Sequence, residues 1–253
     1  MNYSNIQLVK KYIQDDEMCR KNIGMEIKNF RCKKMMVNRD MLSRKIDYSF
    51  CTLTNVEIGK YYPKVDLLAR LTKYGNYPIY FVLNQNCHIE PQYDDIKLLK
   101  NCSDTQKIKI LMRLMCERNN IIHLYNEKII DNMCMTKEEL NKDNIGYLIM
   151  LERVKKNISQ KTLAEHLGVK VKKIKDIEKG NSSIPFKKIY FISFLLNVPI
   201  DYFLMECIEP KQYIINYLLT EVFEGVDDKE REFYIKYIEV LKYKMGVKED
   251  CLE

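Results

Sequence analysis

The chain is defined first by what it lacks. No window approaches the ~20 consecutive apolar residues that a membrane-spanning helix needs, and the opening MNYSNIQLVKKYIQDD has no basic-then-apolar leader pattern. Glycine and proline are scarce, at 8 and 6 residues in 253, which leaves little room for low-complexity linkers. The nine cysteines stand singly at 19, 32, 51, 87, 102, 116, 134, 207 and 251, with no C-x-x-C pair and an odd total. They read as reduced thiols, and the expected location is cytoplasmic. His88, His123 and His166 are scattered, so no metal site is expected. There is no glycine-rich phosphate loop, nucleophile elbow or paired-acid motif. The sequence therefore predicts neither an enzyme nor a cofactor.

What is present describes a folded, helical protein. Apolar residues make up 46% and charged residues 30%, and the length suffices for two domains of ordinary size. A net charge of +7 favours anionic partners without deciding between them.

The most informative stretch is Ser159 to Gly180, SQKTLAEHLGVKVKKIKDIEKG. Ser159 suits a helix N-cap, and Leu163, Ala164 and Leu167 fall on one apolar face behind it. Gly168 then supplies the left-handed residue that a sharp helix-to-helix turn requires. From Val171 to Lys179 a second helix is predicted, with Val171, Ile174 and Ile177 inward and Lys172, Lys173, Lys175, Asp176 and Lys179 outward.

The same pattern recurs earlier. Asn38 to Gly59, NRDMLSRKIDYSFCTLTNVEIG, aligns without a gap at a displacement of 121 residues (159 − 38). Leu42 stands against Leu163, Leu53 against Ile174, Val56 against Ile177 and Gly59 against Gly180. Asn76-Tyr77-Pro78-Ile79 likewise matches Asn197-Val198-Pro199-Ile200. Upstream, Asn22-Ile23-Gly24 matches Asn144-Ile145-Gly146 at 122, so the first copy holds one extra residue. Each copy is expected to be followed by a helical extension, around Thr105 to Arg118 and from about Asp228 to Lys244. Residues 1 to 20 read as a lead-in helix with Ile6, Val9, Ile13 and Met18 inward, and Asn120 to Asn141 as its counterpart. The expected layout is 1–90 for the lead-in helix and first copy, 91–140 for a helical connector, 141–207 for the second copy and 208–253 for a terminal extension. In that last segment Phe233, Tyr234, Tyr237, Ile238 and Leu241 form one stripe, and the tail from Gly246 is expected to fray.

Ile145 to Leu204, with IGYLIMLERVKKN leading and FISFLLNVPIDYFL trailing, resembles the Cro/C1-type (XRE) helix-turn-helix family. The resemblance implies an all-α fold of two lambda-repressor-like domains, double-stranded DNA as partner and a role as transcriptional regulator or repressor. By position it assigns Val171, Lys172, Lys173 and Asp176 to base edges and Gln160 to the phosphates nearby. Lysine donates to guanine O6 and N7, aspartate accepts from a cytosine amine, and valine touches a thymine methyl. Lys170, Lys175 and Lys179 then serve as phosphate partners. In the first copy the recognition segment Ser49 to Glu57 places Phe50, Cys51, Thr52 and Asn55 toward bases, while Arg39, Lys45 and Lys60 hold phosphates. The resemblance also implies buried pairs Arg153–Glu178 and Arg31–Glu57.

Two departures keep an alternative open. Asp47 replaces the turn glycine, which predicts a strained or altered turn, and the first recognition segment carries no lysine. The first copy is thus either a second DNA reader or a structural or dimerising domain. The competing function is a protein-interaction module, antirepressor- or antitoxin-like. Homodimerisation through the terminal helices is a further possibility left open.

Overall fold

A computed structural model describes residues 2–85, 89, 93–135, 141–208 and 211–247, and among these every regular element is helical. The N-terminal set runs α1 (Tyr3–Gln14), α2 (Asp16–Asn29), a π-helical turn (Phe30–Lys34), α3 (Arg39–Lys45), α4 (Phe50–Glu57), α5 (Val65–Gly75) and α6 (Ile79–Val82). Next come α7 (Tyr93–Leu98), α8 (Asp104–Arg118) and α9 (Glu127–Cys134). The C-terminal set is α10 (Lys142–Lys155), α11 (Gln160–Leu167), α12 (Val171–Glu178), α13 (Phe186–Leu196) and α14 (Ile200–Phe203), followed by α15 (Gln212–Phe223) and α16 (Asp228–Lys244). No described helix is long and apolar enough to cross a membrane.

Two compact units result: residues 1–87 with 136–210, and residues 88–135 with 211–253. The segments expected as a connector and a terminal extension therefore join in one unit. In it α8 packs on α9, α15 and α16. Helix α15 was not anticipated. Its QYIINYLLTEVF run is apolar nearly all round, and such a run carries no one-sided periodicity to read. Arg118 satisfies the open carbonyls at its end, donating to Glu221 O, Val222 O and Glu224 O at 2.8, 3.0 and 2.6 Å. Asp227 caps α16 through the Glu230 amide. Tyr234, Ile238 and Leu241 are buried, but Phe233, from the same expected stripe, stays 59% exposed. The tail beyond residue 247 lies outside the described residues.

In the other unit the lead-in helix ends sooner than its apolar stripe suggested. Asp15 closes α1 and its side chain accepts the Met18 amide, so Met18 belongs to α2. Helix α1 packs on α11 and α13, with Tyr12 stacked on Phe191 at 6.2 Å and Asn5 donating to Phe194 O at 2.9 Å. The expected counterpart, residues 120–141, does nothing comparable: α9 packs on α8 instead, and residues 136–140 lie outside the described set.

Left-handed backbone recurs in step along this unit. Met36, Asp47, Gly59 and Asn76 have φ of 51, 49, 77 and 54°, and Asn157, Gly168, Gly180 and Asn197, each 121 residues on, have 54, 62, 70 and 51°. The extra residue of the N-terminal set is absorbed as the π turn at the end of α2, where Met35 N reaches back to Phe30 O. Gly24 and Gly146 let α2 and α10 approach the ends of α4 and α12. A Cβ there would lie 2.3 Å from Val56 O and 2.0 Å from Ile177 O.

Besides the packing of α1 on α11 and α13, the two sets meet at α6 and α14. Asp201, 1% exposed, accepts the Ile79 and Tyr80 amides at 2.7 and 2.8 Å. Gln85 accepts the Ile200 amide at 3.1 Å and donates to Ser193 Oγ at 2.6 Å. Burial pushes the Asp201 carboxyl up to about 6, against the opposing pull of its backbone amides. A folded-state value above the unfolded one means that the fold favours the protonated acid, so stability from this group grows as pH falls through 6. Relative to Asp201→Asn, which does not titrate, the native chain should gain melting temperature between pH 7 and pH 5. A constant difference between the two across that interval would refute the shift.

Candidate nucleic-acid interface

The C-terminal set builds its exposed face from the turn outward. Ser159 caps α11 by accepting the Thr162 amide at 3.0 Å. Gly168 closes that helix, with Gly168 N bonded to Glu165 O and Val169 N to Ala164 O at 3.2 and 3.0 Å. Helix α12 then buries Ile174 and Ile177, half-buries Val171 and Asp176, and exposes Lys172, Lys173 and Lys175, with Lys170 and Lys179 exposed at its two ends. Lys173 reaches Ser182 Oγ in the following loop, a contact that lies outside the aligned motif.

Beneath this face lies a carboxylate. Arg153 Nε and Nη2 donate to Glu178 Oε1 and Oε2 at 2.6 and 2.9 Å, and Arg153 Nη1 donates to Ile158 O at 2.8 Å. Gln160 also donates to Glu178 Oε2, at 2.7 Å, so its amide nitrogen is turned toward the ion pair. The pair is nearly dry, with side chains 12% and 4% exposed. It ties α10 to the end of α12 by a two-pronged bond.

The N-terminal set repeats this framework with other surface chemistry. Arg31 donates to both oxygens of Glu57 at 2.6 and 3.0 Å, and to Val37 O at 2.9 Å. Arg39, expected at the phosphates, adds two more bonds to Glu57 Oε2 at 2.9 and 2.8 Å and lies 5.8 Å from the Phe50 ring centroid. It occupies the position equivalent to Gln160. The turn at Asp47 keeps the normal geometry: Tyr48 N bonds Ser43 O at 2.8 Å, the counterpart of Val169 to Ala164. Arg70 reinforces it by donating to Ile46 O and Asp47 O, both at 2.9 Å. Lys188 performs the same service for Leu167 O at 2.8 Å, and burial draws its pKa below the ordinary lysine value. Neither cation was singled out from sequence, because each reaches the turn from a different position of its helix.

On α4, Leu53 and Val56 are buried, Phe50 and Cys51 are exposed, as is Ser49 at its cap, and Thr52 and Asn55 are half-buried. Lys45 and Lys60 are exposed at the flanks, with Lys60 Nζ 5.4 Å from the Tyr61 ring centroid. The five lysines of the α12 region fall opposite Ser49, Cys51, Thr52, Thr54 and Ile58. Met41, Phe50, Ile58 and Tyr61 are 47, 46, 56 and 53% exposed, an apolar surround where the other set is basic. Among the described residues no group of His, Cys, Asp and Glu side chains could hold a metal ion.

Residues 149–203, which span most of α10 through α14, match the helix-turn-helix family model HTH_3. The chain thus carries one helix-turn-helix domain of this type. Sixty residues are 35% identical to an uncharacterised HTH-type transcriptional regulator of Sinorhizobium medicae, covering 24% of this chain and 43% of that protein. A transcriptional regulator in the ATPase CF(0) region of Rhodospirillum rubrum is equally similar, over 24% of this chain and 56% of its own length. The matched segment thus spans only about half the length of these relatives. No solved structure matches.

Removing one partner of a buried ion pair leaves the other charge stranded, at a cost of ~3–5 kcal/mol. Glu178→Ala should therefore unfold α10–α14 or lower its melting temperature by many degrees. A melting temperature equal to that of the native chain would show that the pair does not hold this fold together.

Proposed function

We propose that the chain is a sequence-specific DNA-binding transcriptional regulator that lays α12 in one major groove and α4 in another. The observation that carries this reading is the α12 region, where lysines 170, 172, 173, 175 and 179 stand over a buried Ile174–Ile177 seam, inside the segment that matches the helix-turn-helix model. The names of the similar proteins point the same way. Val171, Lys172, Lys173 and Asp176 meet base edges, while Lys170, Lys175 and Lys179 neutralise phosphates. Gln160 braces this surface from Glu178.

The N-terminal set acts as a second helix-turn-helix with a different preference. Its repeated left-handed positions and its Glu57 ion pair support that assignment. Asn55 pairs with adenine, and Phe50, Cys51 and Thr52 favour thymine methyls. Ser49, Lys45 and Lys60 supply the few phosphate contacts, and Arg39 holds α3 onto Glu57. The preferred operator is accordingly asymmetric: one half-site is read by a basic helix and the other by a neutral one. Recognition helices of this kind sit about one DNA turn, ~34 Å, apart. If α16 pairs two chains through its exposed Phe233, Val240 and Tyr243, the full operator becomes a palindrome of such asymmetric units.

Gel shifts on tiled genomic fragments test the reading, and no shift at low salt on any fragment would sink it. With about six phosphates neutralised, log affinity should fall against log salt with a slope of about −5. Lys172→Ala combined with Lys173→Ala should weaken specific binding more than Lys175→Ala, by about 1–3 kcal/mol for each side chain that bridges two base-edge acceptors. Equal effects would mean that α12 touches backbone alone.

The apolar exposure of Met41, Phe50, Ile58 and Tyr61 favours a second reading, in which α4 binds a protein and α12 alone binds DNA. Phe50→Ala with Asn55→Ala separates the two. Loss of protection over one half-site in footprinting supports DNA reading by α4. An unchanged footprint, together with a stoichiometric protein partner, supports the other.

A further inference from the structure

Helices α6 and α14 both begin after a proline, Pro78 and Pro199, and neither is capped by a side chain of its own segment. Their open amides are taken up reciprocally: Asp201 of the C-terminal set holds the start of α6, and Gln85 of the N-terminal set holds the start of α14. Gln85 is 8% exposed and Ser193, its other partner, 1%. Ile79, Val82 and Ile200 lie buried around these bonds.

An apolar contact alone would tolerate a small slip or rotation of one set on the other. These bonds do not, because hydrogen bonds weaken steeply with angle and distance. A slip would also leave a buried carboxylate and several backbone amides without partners. The contact therefore has one stable register.

We propose that this reciprocal staple fixes the separation and rotation of α4 relative to α12, making Asp201 and Gln85 the positioning residues that determine which half-site spacing the protein accepts. The inference rests on the reading in which both helices engage DNA. One added base pair moves a half-site by about 3.4 Å and turns it by about 34–36°. A chain locked in one register cannot follow that change, so spacing is read as strictly as sequence.

The test uses the full-length chain and an operator selected from random duplexes, followed by a series with one to five base pairs inserted or deleted between the half-sites. Native protein should show a single sharp optimum, with affinity at least tenfold lower one base pair to either side. Asp201→Ala and Gln85→Ala should flatten that profile to less than about threefold while leaving affinity for an isolated α12 half-site unchanged. The half-site measurement also reports that α10–α14 is folded in the variants. Asp201→Asn keeps one of the two acceptor oxygens and turns a donor on the other α6 amide, so it should recover only part of the sharp optimum. Native protein that protects both half-sites equally at every spacing, or alanine variants that keep the native profile, would overturn the staple and leave the two-helix DNA reading standing; a selected duplex holding the α12 half-site alone would overturn that reading and the staple with it. Failure to select any duplex would overturn both.

Discussion

A carboxylate sealed between two helices has to find its counter-charge inside the fold, and the placement of both candidate reading helices depends on that requirement. Glu178 is forked by Arg153 and touched by Gln160; Glu57 is forked by Arg31 and doubly bonded by Arg39. Each fork also reaches the loop carbonyl just ahead of the next helix, Ile158 O or Val37 O. One buried charge thus fixes the first helix, the turn and the end of the exposed helix together. Gly146 and Gly24 allow the close approach that the fork needs. Because a stranded buried charge costs more than the pair itself contributes, this arrangement works as a geometric constraint more than as a source of stability. The clusters differ in charge: Glu57 faces two arginines, Glu178 only one.

Much of the unit that holds these helices was legible in the chain. Ser159, Gly168, Gly180 and the recurring apolar positions placed α11 and α12, since caps and left-handed residues are local chemistry. The missing glycine at Asp47 suggested strain, yet the turn there has the same bonds, and Arg70 supplies donors from a helix 23 residues on. The single extra residue was visible as a shift in displacement, but not its accommodation as a π turn. What sequence did not convey depends on contacts between distant segments. Asp201 and Gln85 look like ordinary polar residues until α6 and α14 are brought together. Helix α15 was hidden because burial on all sides erases periodicity.

The two sets also show how far a surface can diverge while its backbone is held. Five lysines on one side correspond to serine, cysteine, two threonines and isoleucine on the other, over the same left-handed positions and the same buried pair. The inward residues answer to packing, and the outward ones are free to change. Fold and surface chemistry are thereby decoupled position by position along α4 and α12.

The mutual capping of α6 and α14 bears on how such a regulator would respond to its own abundance. Regulators that assemble from separate subunits face a monomer–dimer equilibrium before they reach DNA, so occupancy of the operator rises steeply with concentration. When both readers lie in one polypeptide, that step is absent, and the second reader meets its half-site at an effective concentration set by the chain itself. On the proposed reading, occupancy follows protein level in simple proportion at low saturation, giving a graded control that does not collapse when only a few molecules are present.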